Sequence, residues 1–387
     1  MRKVTNPFIT GGYVSPEYFC DREKESTELL KHIENGNNIT LISPRRMGKT
    51  GLIEHCFHFP EIESNYYTFF LDIYSTCSLR EFVYLLGKHI FETLKPLGRK
   101  FIDNFFQVIS SLRPAFKLDT TTGEPVFDIG LGEISEINFS LEEIFNYLEQ
   151  ADKPCIVAID EFQQIAKYPE KNVEALLRTY IQHSKNTVFI FAGSQRHLME
   201  NIFFSSTRPF YQSVQLMHLP AISEDAYIKF ARNNFSKVDK HIPVEIIKAI
   251  YKLFDGHTWY MQNIMNEVFS LTQVNDVVAE DIVIQAFENR LVNLHPLFQT
   301  TLNLLTERQK EVLIAIAKEG KARSLMSGGF IKKHALHSTS SVQTSVKQLL
   351  EKEIITTENN TFYVYDRFFG LWIQTQFGTG YRIELNS

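Results

Sequence analysis

Residues 38–53, NITLISPRRMGKTGLI, constrain the chain more than any other stretch. A short apolar run, Ile39 to Ile42, leads into a loop that ends in Gly48-Lys49-Thr50, and an apolar helical start follows. That is the order strand, phosphate loop, helix. A helix N-terminus presents unpaired N–H groups and the positive end of its dipole, so it favours phosphate. Gly48 lets the backbone approach closely. Lys49 supplies charge for the β- and γ-phosphates, and the Thr50 hydroxyl is a ligand for Mg²⁺. Ser43, Pro44, Arg45, Arg46, Met47, Gly48, Lys49, Thr50 and Gly51 are the expected nucleotide cradle. Arg45 and Arg46 either face phosphate or cover the loop. The usual pattern opens with glycine, and Ser43 stands in its place. An accidental GKT in a basic loop is the competing reading; the strand before it and the helix after it argue against that.

A second motif completes the first. PCIVAIDEFQQI, residues 154–165, reads as a buried parallel strand ending in Asp160-Glu161. Carboxylates at the C-terminal end of such a strand face the ligand crevice. Asp160 is expected to hold the Mg²⁺ shell and Glu161 to act as general base; the bland alternative is that Glu161 caps the next helix. The β-rich run 66–74 lies between the two motifs in sequence, and Asp72 near its end either orients metal-bound water or caps a helix. A fourth strand in TVFIFAGSQRHL, residues 187–198, puts Ser194 and Gln195 in position to sense the γ-phosphate, with Arg196 as a further sensor. VQLMHL, 214–219, reads as a fifth strand. Arg208 is a candidate transition-state charge, set against a plain surface arginine. The helix from Glu23 to Glu34 precedes the phosphate-loop strand, so Tyr18, Phe19 and Arg22 are candidate neighbours of the base, against a role in capping and packing.

The remaining sequence divides by composition. Residues 1–220 are expected to form an α/β P-loop NTPase domain with a parallel five-stranded core sheet. An insertion at about 95–140 comprises a helix over FIDNFFQVISSL and a β-hairpin around TTTGEP, in which Phe116 and Leu118 alternate, as do Phe127 and Ile129. Residues 221–300 contain helical patterns and no good strand, a helical lid. Residues 301–387 give three helices and a hairpin around Glu358-Asn359-Asn360, the pattern of a winged helix-turn-helix. From Thr306 to Thr357 nine Lys/Arg face five Asp/Glu, a local +4, which admits duplex DNA. Yet the recognition helix offers Thr339, Ser340, Ser341, Gln343, Thr344 and Lys347 and no arginine, so intramolecular or protein contacts compete. The whole chain carries −5 and exerts no global pull on nucleic acid or anionic membrane. Its four cysteines lack metal-ligand spacing, which argues against zinc. No apolar run reaches membrane-spanning length and the N-terminus lacks a signal-peptide core; a cytoplasmic protein with no membrane association is expected.

These motifs together, FCDREKE, SPRRMGKT, IVAIDEF, FAGSQ, a helical lid and a winged helix ending in YDRFFGLWI, resemble the prokaryotic and archaeal-type ATPases of the STAND branch of AAA+-related P-loop ATPases. The resemblance spans nearly the whole chain. It implies ATP·Mg²⁺ bound by Ser43 to Thr50, with Asp160 and Glu161 as the metal-ordering and water-activating pair. It also implies a nucleotide-controlled switch that moves the winged helix. Besides Ser43, two positions depart from the pattern: Asp21 stands where the motif usually has glycine, and Thr258 where the lid usually has proline. Many relatives carry effector domains beyond the winged helix, so the output is expected through self-association, a protein partner or the winged helix itself. Two readings result. One is an ATPase that cycles between ATP and ADP as a molecular switch. The other is a DNA-associated regulator in which ATP sets conformation with little turnover.

Overall fold

The computed structural model describes residues 6–94, 103–105, 107, 109, 116–118, 125–127 and 137–378. The chain separates into two compact units, residues 11–221 and residues 222 onward joined by 6–10.

The first unit is built on a parallel sheet of β1 (Ile39–Ile42), β2 (Tyr67–Asp72), β5 (Cys155–Asp160), β6 (Thr187–Gly193) and β7 (Gln215–His218), in the order β2-β5-β6-β1-β7. Successive side chains of a strand point to opposite faces, and β5 shows what that does. Val157 and Ile159 enter one apolar layer with Phe69, Leu71, Phe189 and Phe191, whereas Ile156 and Ala158 enter the other with Leu41, Ile190 and Ala192. Helices α1 (Glu23–Glu34) and α2 (Lys49–Phe57) cover the second layer; α4 (Leu79–Leu94), α5 (Ile137–Glu149), α6 (Val173–His183) and α7 (Arg196–Phe204) cover the first. Burial on both faces explains why β5 and β6 read as unbroken apolar runs.

The boundaries of the neighbouring elements follow from local chemistry. The helix after the phosphate loop stops at Phe57, and a short α3 (Pro60–Asn65), started by Pro60, follows it. β5 ends at Asp160; the rest of the apolar run is a 3₁₀ turn, Phe162–Lys167. The hairpin is present as β3 (Phe116–Leu118) antiparallel to β4 (Pro125–Phe127). Ile129 and most of FIDNFFQVISSL lie outside the described residues.

In the second unit, α8 (Glu224–Ser236), α9 (Val244–Phe254), α10 (Thr258–Leu271) and α11 (Glu280–Asn303) precede α12 (Glu307–Glu319), β8 (Ala322–Arg323), α13 (Gly328–Lys333), α14 (Thr339–Glu351), β9 (Ile355–Glu358), β10 (Thr361–Val364) and α15 (Arg367–Phe377). Ser223 caps α8, and Thr306 with Gln309 forms a capping box on α12. The β9–β10 turn puts Asn359 and Asn360 at φ 48° and 59°, left-handed values that asparagine tolerates and a two-residue hairpin needs. β8 adds a third strand to the wing. The boundary drawn at residue 300 falls inside α11, which runs on to Asn303. Residues 6–10, expected with the first unit, pack in the second: Phe8 is fully buried against Phe230, Phe235 and Phe269, at centroid distances of 5.8, 5.6 and 5.8 Å.

Candidate active site

The phosphate loop leaves β1 at its C-terminal end. Ser43 is buried, its N–H donates to Gly193 O on β6 at 3.2 Å and its hydroxyl to Pro44 O at 2.9 Å. Ser43 is not among the positive-φ residues, so a Cβ is tolerated where the usual motif has glycine. Arg46 (φ 70°) and Gly48 (φ 92°) do turn through the left-handed region, and Gly48 then starts α2. Asp21 likewise sits at φ 59°, a conformation glycine adopts more cheaply.

Parallel register carries the carboxylates to the same sheet edge. Lys49 Nζ is ion-paired with Asp160 Oδ1 and lies 3.7 Å from Glu161 Oε1. Thr50 Oγ1 donates to Asp160 Oδ2 at 2.7 Å. Glu161, at φ 55°, turns sharply out of β5, and its own N–H donates to Asp160 Oδ1 at 2.8 Å. Ser194, directly after β6, donates to Glu161 Oε2 at 2.9 Å, and Arg45 Nε donates to Ser194 Oγ at 3.3 Å. The Arg45 guanidinium also lies 5.3 Å from the Tyr74 ring centre. Lys49, Thr50, Asp160, Glu161, Ser194 and Arg45 are thus brought together.

Asp72 pairs in register with Asp160 at the end of the neighbouring strand. Burial holds its carboxyl above the usual range, with the charges of Asp160 and Glu161 adding. It accepts the Tyr74 N–H at 2.8 Å and so fixes the turn after β2. The helix that follows is capped instead by Ser78 and Glu170, through the N–H groups of Glu81 and Leu79.

Other candidates are engaged differently. Arg22 is 2% exposed and donates to Pro220 O (2.6 Å), Met47 O (3.0 Å) and Glu25 (3.2 Å). It therefore grips the carbonyl side of the phosphate loop rather than presenting a charge to a base. Phe19 stacks on His55 at 4.1 Å, beside Gly51. Arg208 is paired with Glu174 at 3.3 Å and donates to Asn201, and Arg196 pairs with Glu200 one turn along its own helix. Two residues went unsingled in the sequence. Gln163 donates its amide to Glu161 Oε2, and Gly193 is packed so closely that a methyl group there would collide with Gln163 and Met199.

An oxygen donor set of one hydroxyl and one carboxylate suits Mg²⁺, which binds few protein ligands and shares phosphate oxygens. Among the described residues no group of three or more His, Cys, Asp and Glu makes an all-protein metal cage, and no helix is long and apolar enough to cross a membrane.

Comparison with known proteins bears on the fold and the family. No curated protein sequence matches the chain. Among solved structures, a Walker-type ATPase of Pyrococcus abyssi superposes with a TM-score of 0.65 at 18% identity, covering 95% of this chain and 99% of that one. The Aeropyrum pernix ORC2 protein, solved in ADPNP–ADP complexes, gives 0.58 at 13% identity, with 96% and 98% coverage. The Aeropyrum pernix ORC1 protein in complex with DNA gives 0.51 at 12%, with 94% of each chain covered. At such identities these likenesses speak to fold. A family model described as "Probable winged helix domain" matches residues 296–375, and one described as "ATPase domain predominantly from Archaea" matches residues 19–264. With most of its length matched by the latter, the chain belongs to the family of ATPase domains found predominantly in Archaea.

Proposed function

We propose that the chain hydrolyses ATP with Mg²⁺ at the Lys49–Asp160–Glu161 cluster and uses the cycle as a molecular switch. The convergence of Lys49 and Thr50 with both carboxylates carries this reading. Thr50 and Asp160 would hold the metal, which neutralises charge on the β- and γ-phosphates when bound. Lys49 leaves its carboxylate partners for the phosphates, and the loop amides complete the cradle. Glu161 takes a proton from the attacking water, and Ser194, with Arg45 beside it, is the proposed sensor of the γ-phosphate. Placement in the STAND branch belongs to the same proposal. The test is a pair of variants. Glu161→Gln should keep ATP binding and lose turnover by about 10²-fold or more, whereas Lys49→Ala should lose binding. Equal hydrolysis by wild type and Glu161→Gln would remove the assigned base.

A second reading, duplex DNA binding by the winged helix, is favoured by the local +4 and by the exposed face of α14, with Thr339, Ser340, Gln343, Thr344 and Lys347. The ORC1 likeness, solved with DNA, supports the same idea. Phosphate contacts predict an affinity that falls steeply with salt; no duplex binding at low salt would end this reading.

A further inference from the structure

Gln163 is a buried polar side chain that the reaction as described does not use. It is 2% exposed and sits in the 3₁₀ turn that follows β5. The left-handed backbone at Glu161 folds this turn back, so the Gln163 amide faces the Glu161 carboxylate from behind. Its Nε2 donates to Glu161 Oε2, and its Oε1 is buried with no hydrogen-bond partner. Reversing the amide would set that carbonyl against a carboxylate oxygen, so the donor orientation is the one chemistry permits. The unpartnered Oε1 rests on the bare Cα of Gly193, where a methyl group would collide with it. Native folds satisfy nearly all buried polar atoms, so an orphan beside a reacting group calls for a functional account.

Both donors reach the same oxygen. Ser194 Oγ also donates to Glu161 Oε2, at 2.9 Å, while Oε1 points to the Lys49 side at 3.7 Å. We propose that Gln163 is a positioning residue for Glu161: with Ser194 it pins Oε2, so that Oε1 is the oxygen that takes the proton from the attacking water. As the water oxygen bonds to the γ-phosphorus, its O–H bond breaks and the proton passes to Oε1. The bond between the γ-phosphorus and the β–γ bridging oxygen breaks, and ADP leaves with that electron pair. This inference rests on Glu161 being the general base.

The test uses Gln163→Met, which keeps the length of the side chain and deletes the donor, in the full chain at saturating MgATP. The variant should lower kcat about tenfold. The Kd for ATP should stay within about twofold, since the Gln163 amide donates to Glu161 and not to the phosphate loop. The melting midpoint should not fall, because the variant also deletes the orphaned carbonyl. Unchanged kcat in Gln163→Met, with Glu161→Gln inactive, would overturn the Gln163 role and leave the base in place. A slower Gln163→Met with weakened ATP binding and a lower melting midpoint would make Gln163 merely structural. Full turnover by Glu161→Gln would instead remove the base reading itself.

Discussion

Arg22→Met separates two roles for one residue. The sequence allowed Arg22 to border the base; the structure has it clamp the phosphate loop to Pro220, two residues past β7. Its guanidinium serves two carbonyls, Pro220 O at 2.6 Å and Met47 O at 3.0 Å, and the Glu25 carboxylate at 3.2 Å. The residue is 2% exposed, so solvent does little to screen these contacts. Breaking a buried ion pair from one side costs about 3–5 kcal/mol. Glu25 keeps some access to water, and the methionine stem refills part of the space, so the lower end, about 3 kcal/mol, is expected. A unit of this size loses about 2–4 °C per kcal/mol, so its melting midpoint should fall by about 6–12 °C. Saturating ATP should restore about 3 kcal/mol by mass action at a hundredfold excess over Kd. ATP affinity itself should drop less than about tenfold, because the arginine supports the loop from behind. Arg22→Lys should recover part of the loss, since one ammonium cannot span the carbonyls that a planar fork reaches. Scanning calorimetry with and without nucleotide, alongside ATP titration, gives all three quantities. A variant that melts with wild type and fails to bind ATP would refute the reasoning and return Arg22 to the ligand.

The second unit makes predictions of its own. Burial, with the Arg367 charge adding, lowers His257 to about 4 from 6.5. The folded value lies below the unfolded one, so this stability is complete above about pH 6.5 and is lost as pH falls towards 4, up to about 3 kcal/mol; urea melts across that window should flatten in His257→Gln. Burial alone would raise Asp255, but Lys321 and Arg367, each 2.7 Å away, outweigh it and hold the carboxyl below its usual range. Its contribution is present above about pH 4 and disappears only below that. Asp255→Asn should therefore cost about 1 kcal/mol at pH 7, a figure reduced for its partial exposure, and should leave the window above pH 4 unaltered. Phe8→Ala, which empties a site between three phenylalanines, should destabilise the second unit by about 3–5 kcal/mol and leave the ATP-responsive calorimetric transition where it was.

What was legible in the sequence had a local cause. The phosphate loop shows itself because Gly48, Lys49 and Thr50 are contiguous, and β5 because a strand buried on both faces must be apolar at every position. Asn359-Asn360 marks its hairpin because few other residues adopt consecutive left-handed conformations cheaply. What stayed hidden depended on convergence. Arg22 takes its role from carbonyls at 47 and 220. Phe8 takes its place from aromatic residues more than two hundred positions away. α11 runs past the boundary at residue 300 to Asn303, before the next helix is capped at Thr306.

The arrangement of the site follows from strand order rather than chain order. In sequence, the 66–74 strand, with Asp72 near its end, separates the phosphate loop from the carboxylates. In the sheet β6 lies between β1 and β5, and β2 is an outer strand. Adjacent strands are about 4.8 Å apart, so the ends of β1 and β5 stand about 10 Å apart, a gap that the extended Lys49 stem helps to bridge. The strand filling that gap ends in Gly193, and Ser194 follows it directly. Gly193 O therefore receives the first amide of the phosphate loop, and Ser194 reaches the Glu161 carboxylate. A residue bulkier than glycine at 193 would collide with Gln163, which supports the carboxylate, and with Met199. Ser194 thus comes to touch both motifs because of where its strand inserts, while Asp72, one strand outside, is left to fix its own turn.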